Sequence, residues 1–410
     1  MTKKRQLLLA IAIFVWVVAC KQITEHVTPK APNDDEILDG PVEGLSSVEK
    51  QQFLAGDVAF NGEVFFSGNG LGPYFVATSC GSCHAGDGKG HPFTTLTRFG
   101  QSDTLGNKYL NLGGPQLQNR AISGFDPEWI PVGASFSQFT PPANTGLGFL
   151  EALTDAQILM NADPNDLDGD GISGRPNYVN APSYFLPQPY HQQRGGKYIG
   201  RFGKKAAAID LQHQTANAYQ QDMGITSDFN PYEPAMNGMA YPYFDNVPDP
   251  EVPATTVHNV VFYLRTLKAP IQRSQSDADV LAGKQLFMNI KCGSCHIPQW
   301  TTPSTNINAL SGKTFFPYTD LLLHDMGSGL DDGYTEGTAL TSEWRTPPLW
   351  GLGLSMNSQG RNYFLMHDGR ATSIRQAIEL HGGEAENSKG QFMNLSESDK
   401  AKLIKFLESL

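Results

Sequence analysis

The pentapeptide Cys-Gly-Ser-Cys-His occurs twice in this 410-residue chain, beginning at Cys80 and again at Cys292. Positions i, i+3 and i+4 of a helical turn share one face, so each copy presents two thiols and one imidazole together. Such a set can hold a c-type haem, because the sulfurs can bond the vinyl groups along one edge while the imidazole reaches the iron. The predicted attachment residues are Cys80, Cys83 and His84 for one haem, and Cys292, Cys295 and His296 for a second.

Three other uses of paired cysteines compete with this interpretation. The 5 cysteines are too few for a disulfide framework, and a disulfide between residues three apart is strained and redox-active. A thioredoxin-like thiol pair explains neither the adjoining histidine nor the repetition. A zinc site could use four thiolates, but His84 and His296 would then have no role. Covalent haem is the prediction that gives every residue of both copies a function.

Helices must position each copy of the motif. A Gly-x-x-x-Phe spacing lets a second helix cross at the glycine while the phenylalanine packs beside the haem. This spacing occurs at Gly56 and Phe60, at Gly62 and Phe66, and at Gly283 and Phe287. Closing amphipathic helices are predicted within 255–270 and 395–410. The predicted fold class is therefore mainly α, with two cytochrome c-like haem domains and long loops.

The amino terminus has the pattern of an export signal. A basic start at residues 3–5 precedes an apolar run at 7–19, which is shorter than the roughly 20 residues of a membrane span. The sequence "VVAC" ending at Cys20 resembles a bacterial lipobox, which implies that Cys20 is acylated. The alternative is an ordinary signal peptide followed by an unrelated cysteine. We expect a periplasmic lipoprotein, anchored in the outer membrane.

These patterns divide the chain into four parts. We predict a signal peptide at 1–19, a polar tether at 20–45, an N-terminal haem domain at 46–272 and a C-terminal haem domain at 273–410. The last boundary falls in the polar segment 270–277. A net charge of −11 argues against nucleic acid as a partner, because phosphate binding requires clustered cations. The expected partner is a small electron-donor protein, such as a cytochrome c or a cupredoxin.

Seven further stretches carry a family resemblance. The chain resembles the bacterial di-haem oxidoreductases and peroxidases, which are relatives of the di-haem cytochrome c peroxidases. The resemblance implies that electrons pass from the C-terminal haem to the N-terminal haem and reduce hydrogen peroxide. One departure is Lys204, where the family pattern leads us to expect an aromatic residue. The stretches that carry the resemblance are 113–124, 163–175, 200–206, 222–227, 317–330, 343–354 and 364–385.

The resemblance also suggests a sixth iron ligand for the second haem. In the wider peroxidase relatives, this ligand lies fourteen residues after the histidine of an His-Asp-Gly turn. That turn begins here at His367, which makes the ligand His381. Independently, His381 shares one helical face with Ile374, Ala377 and Ile378. The alternative is a core histidine bonded to a backbone carbonyl.

The first haem leaves more choices open. Its sixth ligand could be Met223, His213, His191 or His91, and peroxide chemistry would require this position to be open or weakly held. Cleavage of the O–O bond needs a group that moves a proton between the two oxygens. Candidates for the proton transfer are Glu128 and Glu151, and Gln116 or Gln118 could orient peroxide. Each of the four could equally serve as a structural hydrogen-bonding group in a long loop.

A second metal site is predicted from alternating carboxylates. Asp166, Asp168 and Asp170, followed by Gly171, match the opening of an EF-hand loop that binds Ca²⁺. The match is partial, because the twelfth position is Asn177 and not glutamate. The resemblance supports calcium, since di-haem peroxidases hold such an ion. The alternative is an Asp-rich turn whose carboxylates are satisfied by backbone N–H groups.

Three functions remain open from the sequence. The first is a di-haem peroxidase or a related oxidoreductase. The second is a non-enzymatic electron-transfer protein in which both irons have six ligands. The third is a thiol oxidoreductase, which covalent haem would exclude by consuming the thiols.

Overall fold

The computed structural model of the chain describes residues 40–233 and 247–410. The predicted signal peptide, Cys20 and most of the tether lie outside these residues. The end of the tether is already packed, because Val42 N donates to Thr266 O at 2.7 Å and Leu45 is buried. The folded part therefore begins before residue 46. Within the two described stretches, no helix has the length and apolar character needed to cross a bilayer.

Helices form most of the regular structure, as predicted. Asp277 and Ser396 cap the two long helices of the carboxy-terminal region, each accepting hydrogen bonds from backbone N–H groups of the first turn. The helices are α1 Ser47–Asp57, α2 Cys80–Cys83, α3 Leu147–Glu151, α4 Asp155–Leu159, α5 Leu211–Met223, α6 Ala254–Thr266, α7 Ala278–Asn289, α8 Ser355–Ser358, α9 Ile374–Glu379, α10 Glu386–Asn394 and α11 Glu397–Ser409.

In the two described stretches the strands are short and form antiparallel pairs. They are β1 Tyr74–Phe75 with β3 Arg120–Ala121, β2 Leu96–Gly100 with β4 Ser135–Phe139, β5 Tyr178–Val179 with β6 Tyr198–Ile199, β7 Trp300–Thr301 with β8 Thr314–Phe315, and β9 Leu323–Asp325 with β10 Glu343–Arg345. In the last pair, Trp344 stands opposite His324. Residues directly opposite project to the same side of the ribbon, so these two rings share a face.

Two close helix crossings hold the motifs in place. A Cβ added at Gly56 of α1 would lie 2.1 Å from Asn259 O of α6, and one added at Gly283 of α7 would lie 2.1 Å from Lys402 O of α11. Only glycine allows such an approach. One turn further on, Phe60 lies 6.0 Å from the ring of His84, and Phe287 lies 6.3 Å from the ring of His296.

Only one of the two glycine spacings before the first motif is used in this way. Phe66 is exposed, and a Cβ at Gly62 would meet only the side chain of Val58. The prediction for Gly62 and Phe66 is therefore wrong. The reason is that the helix does not continue this far: a π-turn over Val58–Gly62 ends it.

The apolar residues form two main clusters that do not follow the predicted boundary strictly. One cluster surrounds α1, α5 and α6, and the other surrounds α7 and α11. Trp300, Phe315 and Trp350 belong to the first cluster although they come after residue 273. The carboxy-terminal region thus contributes rings to the core of the amino-terminal region, and the two-domain division remains a prediction.

Candidate functional site

Both Cys-Gly-Ser-Cys-His units line one continuous cavity of about 480 Å³. Its wall includes both thiols and the imidazole of each unit. All four of these cysteines are half-buried free thiols. The first unit forms the single turn α2, capped by Ser79, whose hydroxyl accepts from Ser82 N at 3.2 Å. The second forms a 3₁₀ turn over Cys292–Ser294.

The two motif histidines are neutral at physiological pH. Burial lowers the pKa of His84 to about 4 and that of His296 to about 4. Nδ1 of His296 lies 2.9 Å from Tyr318 O, which fixes the ring and leaves Nε2 available. Nδ1 of His84 makes no hydrogen bond to the residues the structure describes. Each ring can therefore offer a lone pair to a metal, as a haem iron requires.

The thiols are protonated and are not gathered at one point. Burial raises the pKa of Cys80 to about 12, that of Cys83 to about 11 and that of Cys292 to about 12. A nucleophilic thiol needs a lowered pKa, which disfavours thiol-disulfide chemistry. Among the described residues, no cluster of three or more metal-ligating side chains includes a cysteine. This geometry does not fit a four-cysteine zinc site, whereas two separate haem attachments fit it.

His381 lies at the second unit. It follows the last turn of α9, lines the cavity, and holds Nδ1 2.7 Å from Ala377 O. Ala377 and Ile378 of the same helix pack in the apolar cluster that contains Phe287 and Cys292, which places His381 on the side of the second unit. Nδ1 of His381 is thus bonded to a backbone carbonyl, which agrees with the alternative of a core histidine. Within the described residues, its Nε2 makes no hydrogen bond and is available to a metal.

The structure distinguishes Met223 from the three histidines among the candidate ligands of the first haem. Met223, at the end of α5, is buried and lines the cavity. The three histidines are not part of the cavity wall, and each accepts a hydrogen bond from a nearby backbone N–H group. His213 accepts from Ile209 at 3.3 Å, His191 from Gln188 at 3.0 Å and His91 from Phe93 at 3.2 Å.

Of the predicted catalytic residues, only Gln116 lines the cavity. Its Nε2 donates to Gln221 O at 3.0 Å and to Asp222, and its Oε1 lies 3.4 Å from Arg98 Nη1. Arg98 also forms an ion pair with Glu336. A polar patch therefore borders the cavity near the first unit. Sequence patterns did not single out Arg98, Gln221 or Asp222, because they come from separate segments.

The other predicted catalytic residues lie behind this patch or away from it. Gln118 donates to Tyr74 O at 3.1 Å, and its backbone N–H donates to Glu128 Oε2 at 2.7 Å. Oε1 of Glu128 is buried without a hydrogen-bond partner in the described chain, and burial raises the pKa of Glu128 to about 8. Glu151 is paired with Arg265, which offsets its burial and keeps its pKa low.

Trp344 lies in the wall of the cavity that both motifs line. His367 stacks on its ring with centroids 3.7 Å apart and an angle of 12° between planes. Phe139 of β4 contacts it edge-on at 5.8 Å, and its Nε1 donates to Leu330 O at 2.8 Å. Lys205 Nζ lies 3.8 Å from the ring centroid. Contacts on several sides therefore hold this ring in one orientation in the cavity wall.

His324 forms a buried charged cluster against the second unit. Its Nε2 lies 2.8 Å from Asp320 Oδ2, its Nδ1 lies 2.6 Å from Glu384 Oε2, and Cys295 Sγ is 3.6 Å from Nδ1. Burial alone would lower the pKa of His324, but the adjacent carboxylates outweigh it and hold the pKa well above its usual range. Ser173 Oγ donates to Glu384 Oε1 at 2.5 Å, which connects the cluster to the Asp-rich loop.

The Asp-rich loop gathers carboxylates in a different combination from the predicted one. Oxygens of Asp163, Asp166 and Asp168 lie within 4.8 Å of one another. Asp170 instead lies 3.8 Å from Lys291 Nζ, next to the second unit. Asn177, the twelfth position of the predicted loop, is buried, and its amide donates to Lys205 O at 2.6 Å. Several loop N–H groups bond these carboxylates, including Leu167 N to Asp163 at 2.6 Å.

Comparison with known proteins gives one family match and two weaker similarities to solved structures. Residues 138–410 match the family described as "Di-haem oxidoreductase, putative peroxidase". No curated protein matches the chain. Among solved structures, hydrazine synthase of Kuenenia stuttgartiensis pressurised with xenon has 13% identity and a TM-score of 0.38 over 93% of both chains. A MauG-like protein associated with microbial copper homeostasis has 17% identity and a TM-score of 0.31, over 64% of this chain and 87% of its own.

A mainly helical chain with two Cys-x-x-Cys-His units on one cavity has the features of a two-haem protein. The chain belongs to the di-haem oxidoreductase family, whose model matches more than half of its length. This membership confirms the resemblance in the sequence and supports haem as the cofactor. The match begins after the first unit and includes the second, together with Trp344 and His381.

The buried carboxyl of Glu128 generates a prediction for stability against pH. In the folded protein the pKa of Glu128 is about 8, above the ordinary value of 4.5. Protonation of Glu128 therefore stabilises the fold fully below pH 4.5, and this stabilisation is lost as the pH rises toward 8. Between pH 5 and 8 this one group lowers the unfolding free energy by up to about 1.4 kcal/mol per pH unit. Glu128→Gln, which mimics the protonated form, should flatten that slope in denaturant titrations.

A matched control is Glu43→Gln, because Glu43 is exposed. It should keep the wild-type slope. If Glu128→Gln also keeps the wild-type slope, the carboxyl is not held in its neutral form by burial.

Proposed function

We propose that the chain is a c-type di-haem peroxidase in which each haem is bonded to the two thiols of one motif and ligated by the adjoining imidazole. The observation that carries this proposal is the single cavity shared by both motifs, with His84 and His296 both neutral. When bound, haem supplies iron that accepts and donates single electrons. The reaction would take two electrons and two protons to convert H₂O₂ into two water molecules.

The two ends of the cavity differ in a way that supports separate roles. His381 adjoins the second motif, so we propose that this end is closed to substrate and receives electrons. The first motif adjoins the amide of Gln116, which is fixed by Asp222 and the carbonyl of Gln221. We propose that this amide orients peroxide. A donor such as a cytochrome c or a cupredoxin would supply the electrons.

We propose that Glu128, which lies behind Gln116, is the proton reservoir of the reaction. Glu128 holds a proton near neutral pH and accepts a hydrogen bond from Gln118 N. The Gln118 side chain in turn donates to the carbonyls of Gln220 and Gln221, both at 3.3 Å. These contacts connect the buried carboxyl to the polar patch, although no direct contact of Glu128 with the cavity is present in the described residues.

Electron passage between the two ends is proposed to use Trp344. Its ring lines the cavity that both motifs share and is held by His367 and Lys205. A cation 3.8 Å from the ring disfavours a positive charge on the indole. We therefore propose that Trp344 bridges the ends by close contact and is not itself oxidised.

A relay without enzymatic activity is the second candidate function, and Met223 is the observation that favours it. Its thioether is buried on the cavity wall, where it could close the sixth position of the first iron. Both irons would then have six ligands and no place for peroxide.

Electron paramagnetic resonance of the ferric holoprotein separates the two functions. A peroxidase should show a high-spin signal that one equivalent of H₂O₂ alters, because the first iron has an open position. His381→Ala should add a second high-spin signal, since the other iron loses its ligand. The control His191→Ala, away from the cavity, should resemble the wild type. Iron that is wholly low-spin and unresponsive to peroxide, with a high-spin signal appearing in Met223→Leu, would establish the relay.

We also propose a calcium ion at Asp163, Asp166 and Asp168, whose oxygens are close enough to share one ion. The loop approaches the second motif through Asp170 and Lys291, so its order should affect that haem. Removing calcium with a chelator should lower the melting temperature and change the haem spectrum, and added Ca²⁺ should restore both. Asp166→Asn should abolish the response, whereas the exposed control Asp126→Asn should retain it. No response in the wild type would indicate a turn satisfied by its backbone N–H groups.

A further inference from the structure

Two adjacent lysines of the stretch 200–206 have opposite surroundings. The ammonium of Lys205 lies over the ring of Trp344 and is fully used by backbone carbonyls. Its three acceptors are Leu340 O at 3.1 Å, Thr341 O at 3.0 Å and Glu343 O at 2.9 Å. This lysine is a structural group that fastens the β9–β10 region to the cavity wall.

Lys204 has no such anchorage. Its side chain lines the cavity, and its ammonium donates no hydrogen bond within the part of the chain that the structure describes. Its backbone carbonyl accepts from Arg345 N at 3.0 Å, while Arg345 Nε donates to Gly203 O at 2.9 Å. These bonds hold the guanidinium beside Lys204. Lys89 lines the same cavity, so three cationic side chains share it.

Two carboxylates of the described residues act on these three cations, and both have other partners. Asp320 acts on Arg345 and is itself paired with His324 at 2.8 Å. Burial lowers the pKa of Lys204, and the neighbouring charges of Lys89 and Arg345 lower it further. Asp368 is the carboxylate that acts on both lysines, and it is already bonded to Arg370 at 2.7 Å.

Lys204 and Lys89 are half-buried and Arg345 is buried. Like charges gathered away from solvent are costly unless an anion accompanies them. The cavity of a chain with net charge −11 thus contains a local site for an anion.

The two carboxylates that every haem carries are the anions best suited to this site. They lie on the edge of the ring opposite the vinyl groups, so they should lie away from the attaching thiols and still near the iron. Lys89 follows His84 by only five residues, and Lys204 and Arg345 line the same cavity as both. This placement favours the haem of the first motif as the partner of these cations.

We propose that Lys204, together with Lys89 and Arg345, binds the propionate carboxylates of the haem held by the first motif. The proposal rests on the di-haem function above. It gives a role to Lys204, the position where the family resemblance leads one to expect an aromatic residue. A cation at the propionates favours the reduced haem, which carries one positive charge fewer, and so raises its reduction potential.

Spectroelectrochemical titration of the purified holoprotein tests this assignment. In Lys204→Gln, one of the two reduction potentials should fall and the other should stay, because one haem loses its counter-cation. Lys204→Arg should restore the wild-type value. The control Lys313→Gln removes an exposed lysine and should change neither potential. If Lys204→Gln yields no folded holoprotein, Lys89→Gln is measured instead, with the same expected direction.

Unchanged potentials in a haem-loaded Lys204→Gln variant would overturn the proposal. A second contradicting result would come from adding inorganic phosphate. If phosphate shifts the haem spectrum of the wild type but not that of Lys204→Gln, the site binds an anion from solution and not the propionates. Haem content is measured separately for each protein. A wild-type chain without haem would contradict the di-haem function itself, whereas a loaded chain with insensitive potentials would contradict only the role of Lys204.

Discussion

The site depends on keeping two imidazoles uncharged inside the protein. Burial lowers the pKa of His84 and of His296 to about 4, so each ring keeps a lone pair that can bind a metal at neutral pH. The same burial keeps the neighbouring thiols protonated. The helix crossings at Gly56 and Gly283 sustain that burial, because each brings a phenylalanine against one imidazole.

The charged groups around the cavity have different structural roles. Lys205 is bonded to carbonyls and His324 is bonded to carboxylates, so both are satisfied by the protein. Lys204 has no comparable partner in the described chain, and Glu128 keeps one buried oxygen without a donor. Folded proteins rarely leave buried polar groups in this state. Lys204 and Glu128 are two such groups, and we assign them roles toward haem and protons.

Local patterns predicted the elements well and the site only in part. The two motifs and the glycines at 56 and 283 were recognisable from neighbouring residues, and the structure contains both helix crossings. The sequence could not show which of Met223 and the three histidines lines the cavity, because that depends on how α5 packs. Trp344 and Asp222 gain their positions only from contacts between distant segments. In the Asp-rich loop, the turn geometry brings in Asp163 and directs Asp170 toward Lys291.

The most direct test of the central claim is a count of haem that stays attached to denatured protein. Holoprotein made with a functional cytochrome c maturation system is extracted with acidified acetone, and haem per chain is measured as its pyridine complex. The account requires two haems to remain with the wild type. It requires one in Cys80→Ala/Cys83→Ala and one in Cys292→Ala/Cys295→Ala. Haem that is fully extracted from the wild type, or a wild-type protein that never acquires it, would contradict the account.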